Sequence, residues 1–347
     1  VDPERLLGAD AVRGEGVLIH GGARAGAAPP EPAEPEGPAE PAGPAPLDPP
    51  DGMWGFSASA DQEINVWTLR DGKRGKPLRG HNQPVHAIVQ SPDETVVISG
   101  GEDAHVRFWD GSSLEPLGAT KAPSCVMALA MDPDAERVFA GCRTWEILVL
   151  DKETRAIKAT LAGSAGPVNN LVVSSDGTKL YSAGDDGKVR VWDLATNKEV
   201  SSIDFGAAIK CLAVSEDGSR IYVAGASKDL RVYGLGGKEL LTRQPGPEKF
   251  SAMALSPDGT QLYVGIADGV QVFDAMTLEP GIKHVGPEKP VLCLCLSADG
   301  VWLFAGDADN GLWLWQNGAT KARFNNPGAH TEAVLSVAMT PDLTEQE

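Results

Sequence analysis

An apolar run that closes on an aromatic or a large apolar side chain recurs seven times along this chain. The copies are INVWT (64–68), VRFWD (106–110), ILVLD (147–151), VRVWD (189–193), LRVYG (230–234), VQVFD (270–274) and LWLWQ (312–316). Their anchors, Trp67, Trp109, Leu150, Trp192, Tyr233, Phe273 and Trp315, are separated by 42, 41, 42, 41, 40 and 42 residues. A period this regular restricts the chain to a repeat architecture, in which each unit buries its apolar faces only against its neighbours.

Each period contains three further runs. The first ends in a turn, as in VHAIVQSPDE, VMALAMDPDA, VNNLVVSSDG and FSAMALSPDG; a short β-rich run follows, such as TVVISG, KLYSAG or RIYVAG. A looser run such as AIKATLAG comes after the aromatic. Four short strands divided by Asp-Gly or Pro-Asp turns predict one antiparallel sheet per period. Such a sheet cannot bury both faces alone, whereas seven arranged radially bury each other's. The expected fold is therefore all-β, a seven-bladed β-propeller. Val85, Val126, Val168, Ile209, Phe250, Val291 and Val334 align as one bulky column of the first strands. Two residues on, Ala87, Ala128, Asn170, Cys211, Ala252, Cys293 and Ser336 form a small one, as expected where inner strands converge on an axis.

These repeats resemble those of the WD-repeat propellers, over roughly residues 52–347. The resemblance implies that a His before the inner strand, a Ser, an Asp in a tight turn and the Trp form a hydrogen-bonded network within a blade. His81, Ser99, Asp103 and Trp109 match at every position; Ser182, Asp186 and Trp192 match with Ser164 in place of the His. His, Ser and Asp are also the residue types of a hydrolase triad, but the repeat accounts for them as scaffolding. The blade ending in Leu150 lacks both His and Asp, and those ending in Tyr233 and Phe273 have shortened turns. The blade ending in Trp315 keeps Asp309 but has Ala305 for Ser and Pro287 for His.

The first copy, GFSASADQEINVW, has no inner strand before it, and the last inner strand, in HTEAVLSVAMTPD, has no blade after it. Joined, they complete one blade. His330 then meets Ser57, Asp61 and Trp67, and it precedes Val334 by the same four residues that separate His81 from Val85. Closure of this kind removes both open sheet edges. The rival inner strand is GVLIH (16–20), which lacks the following Pro-Asp turn and an upstream His. Residues 28–50 carry ten prolines and five acids and no base, so 28–51 is expected to be a disordered, partly polyproline linker. Residues 1–27 are an unassigned tail that reads as the end of a preceding domain. Because the chain opens on Val1 it reads as a fragment or a processed product, and the lack of a targeting signal carries no weight.

Composition narrows the partner. The chain has 30 Lys and Arg against 48 Asp and Glu, a formal charge of −18, and no dense basic patch beyond one hairpin arm at 70–79. A phosphate backbone would be repelled, so no nucleic acid is expected. No apolar run is long enough to predict a membrane span. The five cysteines show no C-x-x-C spacing and their odd number favours reduced thiols and a cytoplasmic location. No catalytic residue, cofactor or metal is expected. His86, Asn169 and Asn170 on inner strands make a thin case for a channel metal, and Cys293 and Cys295 read as packing residues. Arg107, Arg190 and Arg231, two before the blade aromatics, are expected to hold their heads at the surface.

By the resemblance, partners dock on the face carrying the loops into the inner strands, over the channel. Candidates there are Asn82, Gln83, Glu102, Arg143, Trp145, Asp185, Lys228, Glu248, Lys249, Glu288, Lys289 and Glu332. Trp145 is not a blade aromatic; it is either an exposed hot spot beside Arg143 or a filler for the absent polar network. The expected function is a non-enzymatic scaffold, itself monomeric, that binds a protein or peptide, within a multi-subunit complex. The alternative is a propeller enzyme or a small-ligand or metal binder acting at the channel mouth, which would need ionisable residues converging from several blades.

Overall fold

The computed structural model describes residues 52–227, 229–234, 236–243 and 250–340. The expected tail and linker, and Lys228, Glu248 and Lys249, lie outside the described residues. Seven four-stranded antiparallel sheets are present. Their inner strands, Val334–Met339, Val85–Gln90, Val126–Met131, Val168–Val173, Ile209–Val214, Ala252–Leu255 and Val291–Leu296, lie side by side in that order around a ring. Blades are numbered here one to seven by their anchors, Trp67 to Trp315.

Blade one is built from both ends of this ring. Val334–Met339 pairs with Trp54–Ser59, bringing Gly55 opposite Met339 and Ser57 opposite Val337. Backbone bonds from Ala60 to Ala333 (3.1 Å) and from Thr340 to Trp54 (2.9 Å) fasten the seam at both ends. The inner position is thus filled by the C-terminal strand; the rival at 16–20 lies outside the described residues.

The bulky column explains how blades grip one another. Val85, Val126, Val168, Val291 and Val334 are buried, and several meet a glycine in the second strand of the preceding blade. A Cβ on Gly100 would lie 2.4 Å from Val126 Cγ1, one on Gly141 2.8 Å from Val168 Cγ1, and one on Gly306 2.4 Å from Val334 Cγ1. Bulky and bare positions therefore interlock between blades, as close packing demands. Gly306→Ala is expected to lower stability by about 1–3 kcal/mol through overpacking at the closing seam, read as a lower denaturant midpoint. An unchanged midpoint would show that the seam has slack.

Local chemistry sets the inner hairpins. Ser174, Ser215, Ser256 and Ser297 each accept a hydrogen bond from the N–H five residues on, at 2.8–2.9 Å, and donate to the Asp two residues on. The following Gly177, Gly218, Gly259 and Gly300 sit at φ of 65–71°, the left-handed conformation that glycine tolerates. The Asp after the anchor closes the next turn: Asp110 accepts from Ser113 N at 2.7 Å and Asp193 from Thr196 N at 2.8 Å.

Blade seven solves its missing serine differently. With Ala305 in place, the Trp315 indole donates to the Val285 carbonyl at 3.2 Å. The carboxylate of this blade's turn is Asp307, not Asp309, which corrects the reading from spacing. Asp307 is buried and accepts from Trp313 Nε1 (2.7 Å), Asp309 N and Gly311 N, while Asp309 is exposed. On the outer strand of blade six, Pro280–Val285, His284 is fully buried between the Tyr263 and Trp315 rings. Its Nδ1 donates to Ala319 O at 2.6 Å, and its Nε2 has no hydrogen-bond partner among the described residues.

Burial pushes the His284 imidazole down to about 4, only partly offset by the Ala319 carbonyl. The unfolded chain therefore takes up this proton first, near pH 6.5, and the contribution is intact above that and lost as pH falls toward 4. The expected loss is about 3 kcal/mol by pH 4. His284→Asn should flatten this part of the stability–pH curve, checked by denaturant unfolding between pH 7 and 4. An equally steep curve in the variant would place the dependence elsewhere.

Candidate functional site

The Ser, His, Asp and Trp of blades one and two form continuous chains of hydrogen bonds. In blade two Trp109 Nε1 donates to Ser99 Oγ at 3.0 Å, so the serine proton goes to His81 Nε2 (2.8 Å) and His81 Nδ1–H to Asp103 (2.9 Å). In blade one the distances are 2.8 Å for Trp67 to Ser57, 2.8 Å for Ser57 to His330 and 3.0 Å for His330 to Asp61. Both serines have no exposed surface, so neither reaches a substrate. Burial pushes the Asp61 carboxyl up, yet His330 and the N–H groups of Thr331 and Glu63 together hold it well below the usual carboxylate range. Burial likewise pushes His81 down, against the pull of Asp103.

Blade four has the Trp192–Ser182 bond at 2.8 Å, but no His. Asp186 instead accepts from Ala165 N at 2.9 Å and pairs with Arg190 at 2.7 Å. Arg190 is buried, and Arg107 and Arg231 also turn to a turn carboxylate of their own blade, Asp103 (3.3 Å) and Asp229 (2.7 Å). The expectation that these arginines hold their heads at the surface is corrected for Arg190, which is buried; Arg107 and Arg231 stay partly exposed, and each of the three guanidinium groups pairs with a turn carboxylate that is itself largely buried.

Six inner strands carry a β-bulge at the same place. Register shifts skip His86, Met127, Asn169, Lys210, Leu292 and Leu335, each directly after the bulky column. A bulge re-aims its side chain, and all six line a channel of about 540 Å³ on the ring axis. Sequence reading placed the small column at the axis. It named His86 and Asn169 for the channel, but missed that the whole column before the small one, with mixed chemistry from blade to blade, faces the opening. The readable signal was the polar members, His86, Asn169 and Lys210, inside otherwise apolar strands.

The predicted face residues divide into groups. Glu102 and Arg143 come together across blades two and three at 3.1 Å, with His86 Nε2 3.2 Å from the same Glu102 oxygen. Asp185 accepts from Asn169 and Lys210, both at 2.7 Å, bridging blades four and five. Asn82, Gln83, Glu288, Lys289 and Glu332 are exposed on loops leading into inner strands, and the Glu332 carbonyl accepts from Ser59 Oγ at 3.1 Å.

Trp145 is 51% exposed and has φ of 82°. It occupies the left-handed turn position that Ala104 fills in blade two and Gly187 in blade four. In place of the missing His and Asp, Ser124 and Thr144 bond to one another at 2.8 Å. A bulky side chain with positive φ is strained, so the fold holds this indole outward at a cost. It does not fill the gap left by the network.

The family model "WD domain, G-beta repeat" matches residues 72–110, 156–193 and 280–316. The chain is also similar to transcription factor unc-37 of Caenorhabditis elegans, with 36% identity over 118 residues. That match takes in 34% of this chain and spans only 19% of the relative.

Proposed function

We propose that this chain, which belongs to the WD-repeat β-propellers, is a protein-interaction scaffold whose loop face over the channel receives an extended segment of a protein partner. The observation that carries the reading is Trp145, a half-exposed indole kept in a strained turn beside the exposed Arg143. Tryptophan and arginine are the residues that most often dominate binding energy at interfaces. The channel mouth next to them offers Lys210, Asn169, Asp185, Glu102 and His86, a mixed polar rim suited to backbone amides and side chains of a peptide. The likeness to unc-37 supports a place within a protein assembly. Five free cysteines support a reducing compartment.

The test is capture from the source cells with the full chain and with an Arg143→Glu, Trp145→Gly variant, both shown to melt cooperatively. A protein held in stoichiometric amount by the first and lost from the second is the expected result. Equal retention by both would refute this face as the docking surface.

A further inference from the structure

We propose that His86, Glu102 and Cys125 form a binding site for a zinc-type divalent metal ion at the channel mouth between blades two and three. One donor atom from each lies within 4.8 Å of the other two. The three come from separate segments with fixed backbones. His86 is the bulged residue of its inner strand. The Glu102 N–H is bonded to Pro84 O at 2.8 Å, and the Cys125 carbonyl accepts from Arg143 N at 2.9 Å. Imidazole, carboxylate and thiol together are the donor set of zinc and its borderline neighbours; magnesium and calcium take oxygen donors.

A tetrahedral zinc needs its donors about 3.5 Å apart, given bonds of roughly 2.0–2.3 Å. The His86 and Glu102 side chains are 18% and 32% exposed, free to close the remaining ångström, while Cys125 stays buried. The Cys125 thiol now donates to the Met127 thioether at 3.3 Å, which sets a second soft sulfur against the site. Burial pushes that thiol up to about 11, so in the absence of an ion it stays protonated and inert. When the ion enters, the thiol proton leaves to solvent and the thiolate sulfur binds. The His86 proton that faces Glu102 from Nε2 moves to Nδ1 as the ion takes the Nε2 lone pair, so one proton, that of the thiol, is released per ion. Arg143 competes for Glu102, but its side chain is 54% exposed and an exposed pair is a weak competitor. Three protein donors leave one position of the ion open.

The experiment uses the full chain, stripped of metal with a chelator, kept reduced and titrated with cobalt(II), then with zinc(II). The expected result is a thiolate-to-cobalt charge-transfer absorption that saturates at one equivalent and is displaced by zinc. It persists in Cys293→Ser, disappears in Cys125→Ser, and shows an affinity weaker by tenfold or more in His86→Ala. Absence of the thiolate absorption, or its survival in Cys125→Ser, overturns the site. If Cys125→Ser does not fold, His86→Ala decides, since its side chain is partly exposed and unchanged cobalt affinity there is equally fatal.

Discussion

A chain cut after Ala329 is expected to lose its cooperative melting transition altogether. The cut removes Val334, Val337 and Ala338 from the interior, and each valine is worth about 1.5–3 kcal/mol of burial. It also takes away His330 and the Thr331 N–H, leaving the Asp61 carboxylate short of its donors, a loss of several kcal/mol when one partner of a buried pair is deleted. The edge of Trp54–Ser59 is then open to any passing strand. These losses together match the net stability of a typical domain. A synthetic peptide of residues 330–340, added during refolding, should restore the transition, because it carries the strand pairing, the packing and the His330 and Thr331 donors that hold the seam. Thermal unfolding followed by tryptophan fluorescence reads both. A truncated chain that still melts cooperatively would mean that six blades and a remnant suffice.

Trp145→Gly is expected to separate stability from function. At φ of 82° glycine removes backbone strain worth about 1 kcal/mol, as Gly187 does in blade four, which offsets the packing lost with a half-exposed indole. The melting temperature should therefore hold or rise. Partner affinity should fall by about 30-fold or more, the effect of losing an interface hot spot of roughly 2 kcal/mol. Calorimetric titration with the captured partner, beside a melting curve, measures the two together. A fall in both would mean that Trp145 is a structural residue after all.

Much of the architecture was legible because a propeller writes each contact several times. Ring closure could be read from a single coincidence, since His330 stands to Val334 as His81 stands to Val85. The polar chains of blades one and two were implied by the resemblance to the WD-repeat propellers, whose residue pattern both blades match. What escaped lies where one blade differs from the rest. Asp309 fits the spacing of the turn Asp, but in blade seven Trp313 stands where blades two, four and five carry arginine, and its indole N–H needs the acceptor that Asp307 supplies. The buried Arg190 was missed because an offset shows which way a side chain leaves the strand, not which carboxylate it meets. The bulges were invisible because an inserted residue looks like one more member of a strand. Their consequence, a ring of unlike side chains around the channel, appears only in three dimensions. So does the meeting of His86 with Cys125, 39 residues on, which joins adjacent blades at positions no motif links.

The most direct test of the central claim is site-specific photo-cross-linking within the captured complex. A photoreactive amino acid replaces Gln83 on the proposed face, Leu240 on an outer strand, or Asp217 in the hairpin turn at the opposite end of its inner strand. The account predicts that the partner is cross-linked from position 83 and from neither of the others. Cross-linking from position 217 or 240 with none from 83 would contradict it and move the docking surface away from the channel mouth.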